Sequence, residues 1–357
     1  MSPAITDLAD LVAGLPPAAR ENFERIFDVE VVRGALVPPQ PMLPWIERQF
    51  GSVESVIGQD IVKVTNRLTL EGTVYNTLRA LRPHHFRSQQ AGAADLYDGQ
   101  DPFAKPLLST TADPFGRVEG KYCVTAGNVA KCDGHHGVII FNEFDPLSFG
   151  REQVHDYLET GWRWAQRAHQ YDPQARHYLF LWNCSYRAGA SLPHGHAQVL
   201  LGRERHYAKV EMLRLAADNY GSLYERDYFA DLYAAHESLG LGWQAGGIKL
   251  MVYLAAIKLN EVMLLAPSGG AALADAVYAV LACYRDSLGV KSFNLGIAYP
   301  PLDDMGAWEG FPLVARLVDR GDTADLSSDI GAMEFYGANV VSSDPFKISV
   351  LLGDALK

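Results

Sequence analysis

The sequence predicts a mixed fold, α+β or α/β, and three observations lead there. Short β-branched and aromatic runs alternate with amphipathic helical stretches along the chain. Its 357 residues suffice for one large or two ordinary domains with a sizeable core. Third, one order of elements occurs twice. From Gly137 it runs strand (VIIF), helix (151–170), strand (YLFLWN), loop, strand (HAQVLL). From Glu261 it runs strand (VMLLA), helix (LADAVYAVLACYRDS), strand (FNLGIAY), loop, strand (PLVARLV). Such a duplication predicts a pseudo-two-fold pair of sheets in which only the first half keeps the polar row.

Taken in order, PPAARENFERIF places Phe23, Ile26 and Phe27 at helical spacing behind a Pro-Pro start, so residues 1–59 are expected to form a helical extension. The first half is expected over 60–205 and the second over 206–357. Strands are expected at DIVKVTN (60–66), HGVIIF (136–141), HYLFLWN (177–183) and QVLLG (198–202), and helices at 151–170 and across about 206–238. Trp162 and Trp164 share helical spacing with Tyr157 and are expected to pack rather than to stack on a base.

Composition excludes several roles. A net charge of −11 with no long basic run repels polyanions, so nucleic acid is not an expected partner. A phosphorylated small molecule would need a local cluster of Arg, Lys or backbone N–H groups. The four cysteines form no Cys-x-x-Cys pair, and MSPAITDLADL lacks the basic start and apolar core of a signal peptide. A cytoplasmic protein is expected. No apolar stretch approaches the roughly 18–20 residues that cross a bilayer.

The stretch SLPHGHAQVLLG (191–202) sets polar side chains at every second position of an apolar run. On a strand, His194, His196 and Gln198 would project to one face. Each such group buried without a partner costs about 1–3 kcal/mol, so the row is either a satisfied polar core or a site. The preceding NCSYRAGAS (183–191) favours a site. Its small residues, Ala188, Gly189, Ala190 and Ser191, let backbone approach a ligand, and their N–H groups are expected to cradle phosphate. A neutral imidazole is a good nucleophile near pH 7. Attack by His196 on an α-phosphorus would form a nucleotidyl-histidine and expel a phosphate-bearing group, and a second phosphate would then collect the nucleotide.

The string from Asn183 through Ala188-Gly189-Ala190-Ser191-Leu192-Pro193-His194-Gly195-His196-Ala197-Gln198 resembles the signature of the galactose-1-phosphate uridylyltransferase and diadenosine tetraphosphate phosphorylase (ATP adenylyltransferase) branch of the histidine-triad superfamily. The resemblance implies an α+β fold of duplicated halves, with antiparallel sheets and packed helices in a pseudo-two-fold arrangement. It makes His196 the nucleophile, Gln198 the group that binds the nucleotidyl phosphate, and Asn183 and Ser191 substrate contacts. NTLRALRPHHF (76–86) is similar to the Arg-x-x-Arg-Pro segment of that branch, which implies that Arg79 and Arg82 face phosphates. VTAGNVAKCDGHHGVIIF (124–141) likewise implies Asn128 as a nucleotide contact.

Many uridylyltransferases carry a zinc site of a Cys-Pro-x-Cys motif and two histidines, one of them the first of His-x-His. Here the equivalents are Asp101-Pro102-Phe103-Ala104 and Phe144-Asp145, and only His194 survives. A structural zinc is therefore not expected, no cofactor is required, and a divalent metal is left open. The expected partners are a nucleotide sugar, a dinucleotide or a sugar phosphate. The expected activity is nucleotidyl transfer to a phosphate or sugar phosphate. The alternatives are a dinucleoside polyphosphate or nucleotide-sugar phosphorylase, a nucleotide-binding protein without turnover, and a metal protein built on His135, His136, His194 and His196. The departure of GAMEFYGANVVSSDPFKI (331–348) from the branch's substrate loop leaves the sugar open.

Overall fold

The computed structural model describes residues 3–83, 101–303, 305–325 and 330–356. The chain opens with α1 (Leu8–Ala13), α2 (Pro17–Ile26), β1 (Phe27–Ala35), α3 (Leu43–Phe50), α4 (Val53–Ile57), β2 (Gly58–Asn66) and β3 (Gly72–Tyr75). The first half follows: α5 (Pro106–Ser109), β4 (Cys123–Gly127), β5 (His135–Phe141), α6 (Arg151–Tyr171), β6 (His177–Cys184) and β7 (His196–Gly202). Two helices, α7 (Ala208–Tyr224) and α8 (Tyr228–Glu237), lead to β8 (Gly242–Ala245), β9 (Ile248–Val252), β10 (Leu259–Ala266), α9 (Ala271–Ala282), β11 (Phe293–Ala298), β12 (Leu313–Asp319), β13 (Ala338–Val341) and α10 (Pro345–Ala355).

The duplication is visible in the sheet. Nine strands run in the order β4-β5-β7-β6-β11-β12-β10-β9-β8, every ladder antiparallel. β4-β5-β7-β6 repeats as β9-β10-β12-β11, and the halves meet edge to edge where β6 pairs β11, Leu181 opposite Gly296. The expected pair of sheets is thus one sheet, which removes two open edges from the middle of the molecule.

One face carries α6 and α9. In α6, Val154, Tyr157, Leu158, Gly161, Trp164, Ala165 and Ala168 recur at three- and four-residue intervals and are buried. Glycines set how closely this helix approaches: a Cβ on Gly137 would meet Trp164 at 2.8 Å, and one on Gly161 would meet the Tyr178 hydroxyl at 2.6 Å. Trp164 is fully buried with Nε1 donating to Asp113, and Trp162 stacks on Tyr299, so both tryptophans serve packing.

The N-terminal region differs from the helical extension expected for residues 1–59. Helix α2 is there, but Phe27 passes directly into β1, which alternates FDVEVVRGA and pairs with β2 from Phe27–Asn66 to Ala35–Gly58. A four-stranded sheet, β1-β2-β3-β13, results, and its last strand, from the C-terminal segment, runs parallel to β3. This sheet crosses the expected boundary at residue 60 and draws on both ends of the chain. Its Tyr75 and Thr73 bond to the Leu254 and Ala256 carbonyls after β9, which seats it over the second half. Among the described residues, no helix is long and apolar enough to cross a membrane.

Candidate active site

Strand β7 opens at His196, so the expected row is two residues of strand, His196 and Gln198, with His194 just before it. Gly195 makes the bend between the histidines. A Cβ there would meet Phe141 Cδ2 at 2.8 Å and the Glu143 carbonyl at 3.0 Å, so only glycine fits. His194 is turned to partners of its own: Nδ1 lies 2.7 Å from Asp101 Oδ2 and Nε2 lies 2.9 Å from the Phe141 carbonyl. Both partners are acceptors, so both ring nitrogens are engaged. Phe103 and Phe144 stand edge-on to it, with ring centroids at 5.9 and 5.4 Å.

These are the positions at which the resemblance implies zinc ligands. Asp101 and Asp145 supply carboxylates, Ala104 and Phe144 supply no donor, Asp145 is spent on the Leu147 N–H and the Ser148 hydroxyl, and both nitrogens of His194 are engaged. Zinc takes four N, S or O ligands, so the donor set does not fit it. No cluster of three or more His, Cys, Asp or Glu side chains forms among the described residues. His135 and His136 project to opposite faces, His135 Nε2 bonding Asp172 Oδ2 at 2.8 Å, so the four-histidine metal centre is not assembled.

His196 is buried, with its ring 5.4 Å from Phe103, and its Nδ1 lies 2.8 Å from the His194 carbonyl. A carbonyl accepts only, which places the ring hydrogen on Nδ1 and the lone pair on Nε2. Burial lowers the pKa of this imidazole below its usual value, favouring the neutral ring. No described residue bonds Nε2.

Gln198 and Asn183 flank it on the same face. Gln198 opposes Leu181 across the β6–β7 ladder, and Asn183 lies two residues beyond Leu181. Gln198 Oε1 is 2.8 Å from His136 Nε2. Asn128 reaches the same ring, its Nδ2 at 3.1 Å from His136 Nε2. A small apolar cluster separate from the main core, Ala126, Val138 and Ile140 with Phe103 and Val124 against it, lies alongside.

The small-residue loop differs from the expected phosphate cradle. The N–H groups of Ala188 and Ala190 donate to the Ser185 carbonyl and that of Gly189 to the Tyr186 carbonyl, so three expected donors are spent inside the loop. The cause is a tight reversal leaving β6: Ser185 holds φ 74°, ψ 167°, a region costing a non-glycine residue about 1–3 kcal/mol, and Gly189 follows at φ 96°. Ser191 is exposed beyond the reversal. The loop is tied to the second half, because Asn294 of β11 donates Nδ2 to both Asn183 Oδ1 (2.7 Å) and the Ala188 carbonyl (2.8 Å).

Arg79 and Arg82 occupy a single turn after β3. Arg82 Nε bonds the Arg79 carbonyl, and Arg79 lies in the field of Arg82 and Glu334. Among the described residues nothing joins either to the His196 row. Lys131 binds Asp113 and the His136 carbonyl, and Arg187 binds the Arg320 and Asp325 carbonyls, so both brace the backbone. Asn294 and Arg320, whose Nη1 donates to Asn294 Oδ1 at 2.5 Å, escape sequence reasoning. The available signal for Asn294 was its place in FNLGIAY, the counterpart of YLFLWN.

No family model and no curated protein sequence matches the chain. Solved structures do. An ADP-glucose phosphorylase from Arabidopsis thaliana with bound ADP-glucose superposes with a TM-score of 0.62 at 13% identity, over 81% of this chain and 97% of that one. A galT-like protein from Arabidopsis thaliana gives 0.60 at 13% identity over the same shares. A uridylyltransferase gives 0.58 at 16% identity over 82% and 97%. These likenesses concern the fold: the chain shares that of the ADP-glucose phosphorylase, the galT-like protein and the uridylyltransferase.

Proposed function

We propose that the protein is a nucleotidyltransferase working through His196. Nε2 attacks the α-phosphorus of a nucleotide sugar or dinucleotide; the N–P bond forms, the P–O bond to the leaving group breaks, and that group departs as a sugar phosphate or as the remaining nucleoside polyphosphate. The nucleoside monophosphate then passes to a phosphate or sugar-phosphate acceptor, and His196 is regenerated. One observation carries this reading: the bond from Nδ1 to the His194 carbonyl leaves the lone pair of a neutral imidazole on Nε2, without a bonding partner among the described residues. As the adduct forms, positive charge spreads over the ring to Nδ1–H, where the same carbonyl stabilises it.

Gln198 and Asn183 are the donors for the phosphoryl oxygens, with Ser191 at the rim of the loop. The apolar cluster of Ala126, Val138 and Ile140 beside Asn128 suits a base. The fold's likeness to an ADP-glucose phosphorylase supports a nucleotide sugar as donor, and phosphate as acceptor would make the same chemistry phosphorolysis. The Asp101–His194 pair stands at the positions where the resemblance implies a structural zinc.

The test is intact-protein mass after brief incubation with UDP-glucose, ADP- and GDP-sugars and diadenosine tetraphosphate. Wild type is expected to gain one acid-labile nucleoside monophosphate, and His196→Ala none. Tight nucleotide binding without an adduct would refute transfer and leave a binding protein.

A further inference from the structure

We propose that His136 and Asn294 are positioning residues, which turn the carboxamides of Gln198 and Asn183 so that both present their NH2 groups to a phosphoryl group at His196. The inference rests on the reading of His196 as nucleophile and adds two residues that the motif does not contain.

The orientation of each amide follows from groups that can only donate or only accept. At His136, Nδ1 receives the backbone N–H of Cys132 at 3.2 Å, so Nδ1 bears the lone pair and Nε2 the hydrogen. Burial lowers the pKa of this ring as well, which keeps it in that neutral form. Nε2–H therefore donates to the Gln198 atom 2.8 Å away, which must be the oxygen. A ring nitrogen carrying hydrogen accepts nothing, so the Asn128 Nδ2 beside it is a neighbour, with its hydrogens left for a ligand. At Asn294 the assignment is fixed twice: one amide atom faces the Ala188 carbonyl and must be nitrogen, and the other faces the Arg320 guanidinium and must be oxygen. Asn294 Nδ2 thus donates to Asn183, and the Asn183 atom it meets is oxygen.

Each flanking amide consequently has its oxygen engaged and its NH2 turned away from that partner. Neither Gln198 Nε2 nor Asn183 Nδ2 has an acceptor among the described residues. Two donors without acceptors on the face of a nucleophilic imidazole are a preorganised seat for non-bridging phosphoryl oxygens. Left unfixed, either amide could present its oxygen instead and repel the phosphate. Asn294 lies in β11, so the half without the His-x-His row supplies one of the two supports.

The experiment uses full-length protein and rapid-quench intact mass with the nucleotide sugar that labels wild type. His136→Leu and Asn294→Asp remove the donated hydrogen, the latter without changing shape. Each is expected to slow adduct formation at saturating donor by about 10²-fold, the loss typical of one misdirected oxyanion donor, with little change in half-saturation. His136→Gln, whose amide can donate to Gln198, is expected to recover most of that loss, which a purely structural role would not predict. Adduct formation at the wild-type rate in both donor-less variants would overturn the proposal. Failure of wild type to form any adduct would instead refute the nucleophile. In that event, side-chain amide NMR with AMP as probe still decides: the Gln198 and Asn183 NH2 signals shift on binding if the donors face the site, and unmoved signals overturn their orientation.

Discussion

Removing the carboxylate of Asp101 measures how far the Asp101–His194 pair replaces a metal. The two side chains are 18% and 6% exposed, and their bond is 2.7 Å. Taking one partner from a pair this buried costs about 3–5 kcal/mol. Asp101→Ala also loses the Oδ1 bond to the Phe103 N–H (2.9 Å), worth about 1 kcal/mol. With an unfolding entropy of about 2.1 cal/mol/K per residue, a 357-residue chain loses about 5 °C of Tm for 4 kcal/mol. Asp101→Asn should cost only about 1 kcal/mol, because its NH2 can donate to Nδ1 while Nε2 keeps its bond to the Phe141 carbonyl. Since the His194 carbonyl positions His196, the alanine variant should also slow adduct formation, by about 10² for a shift near 1 Å. Calorimetry with and without zinc and chelator, alongside elemental analysis, is the assay. An alanine variant melting within about 1 °C of wild type, or wild-type protein holding stoichiometric zinc that the variant lacks, would refute the reasoning.

Acid should unfold the protein through two buried histidines, His206 and His236, whose pKa values burial lowers to about 4. The unfolded chain protonates each near pH 6.5 and the folded protein only near pH 4, so stability is full above about pH 6.5 and falls toward pH 4 by about 3 kcal/mol per histidine. Thermal melts across that window check the slope, and His236→Gln should remove its share. Gly195→Ala drives a methyl into Phe141 and the Glu143 carbonyl. A loss of about 1–3 kcal/mol and at least about 10² in adduct rate is expected, read by melting and quenched mass.

What the sequence disclosed divides by the range of the interaction that determines it. Strands β2, β5, β6, β7, β10, β11 and β12 and helices α6, α7, α8 and α9 follow from local periodicity, and the duplication from their order. Strand β1 does not, because it follows α2 without a glycine or turn residue, and only pairing with β2 makes FDVEVVRGA a strand. His196, Gln198 and Asn183 were legible because they share one short motif. Their supports were not: Asp101 lies 93 residues from His194, His136 62 from Gln198 and Asn294 111 from Asn183. The misread loop has a third cause. Small residues permit a phosphate nest and permit an internally bonded reversal equally well, and the unusual backbone of Ser185 decides between them.

The same register sets the two halves apart at the position equivalent to Gln198. Leu181 opposes Gln198 in one half, Gly296 opposes Arg316 in the other, and Leu181 opposes Gly296 where they join. Arg316 therefore stands in β12 where Gln198 stands in β7, so the second half has a cation in the place of an amide. That cation is already neutralised: Nε bonds Glu261 and Nη1 bonds Glu71, each through a short contact, with both carboxylates buried. The guanidinium is thus spent on Glu71 and Glu261 rather than offered to a phosphate. This half holds the four-stranded sheet through Glu71 and sends Asn294 across the join to Asn183. On the proposed reading, a first half expressed alone should lose the Asn294 amide and with it the orientation of Asn183.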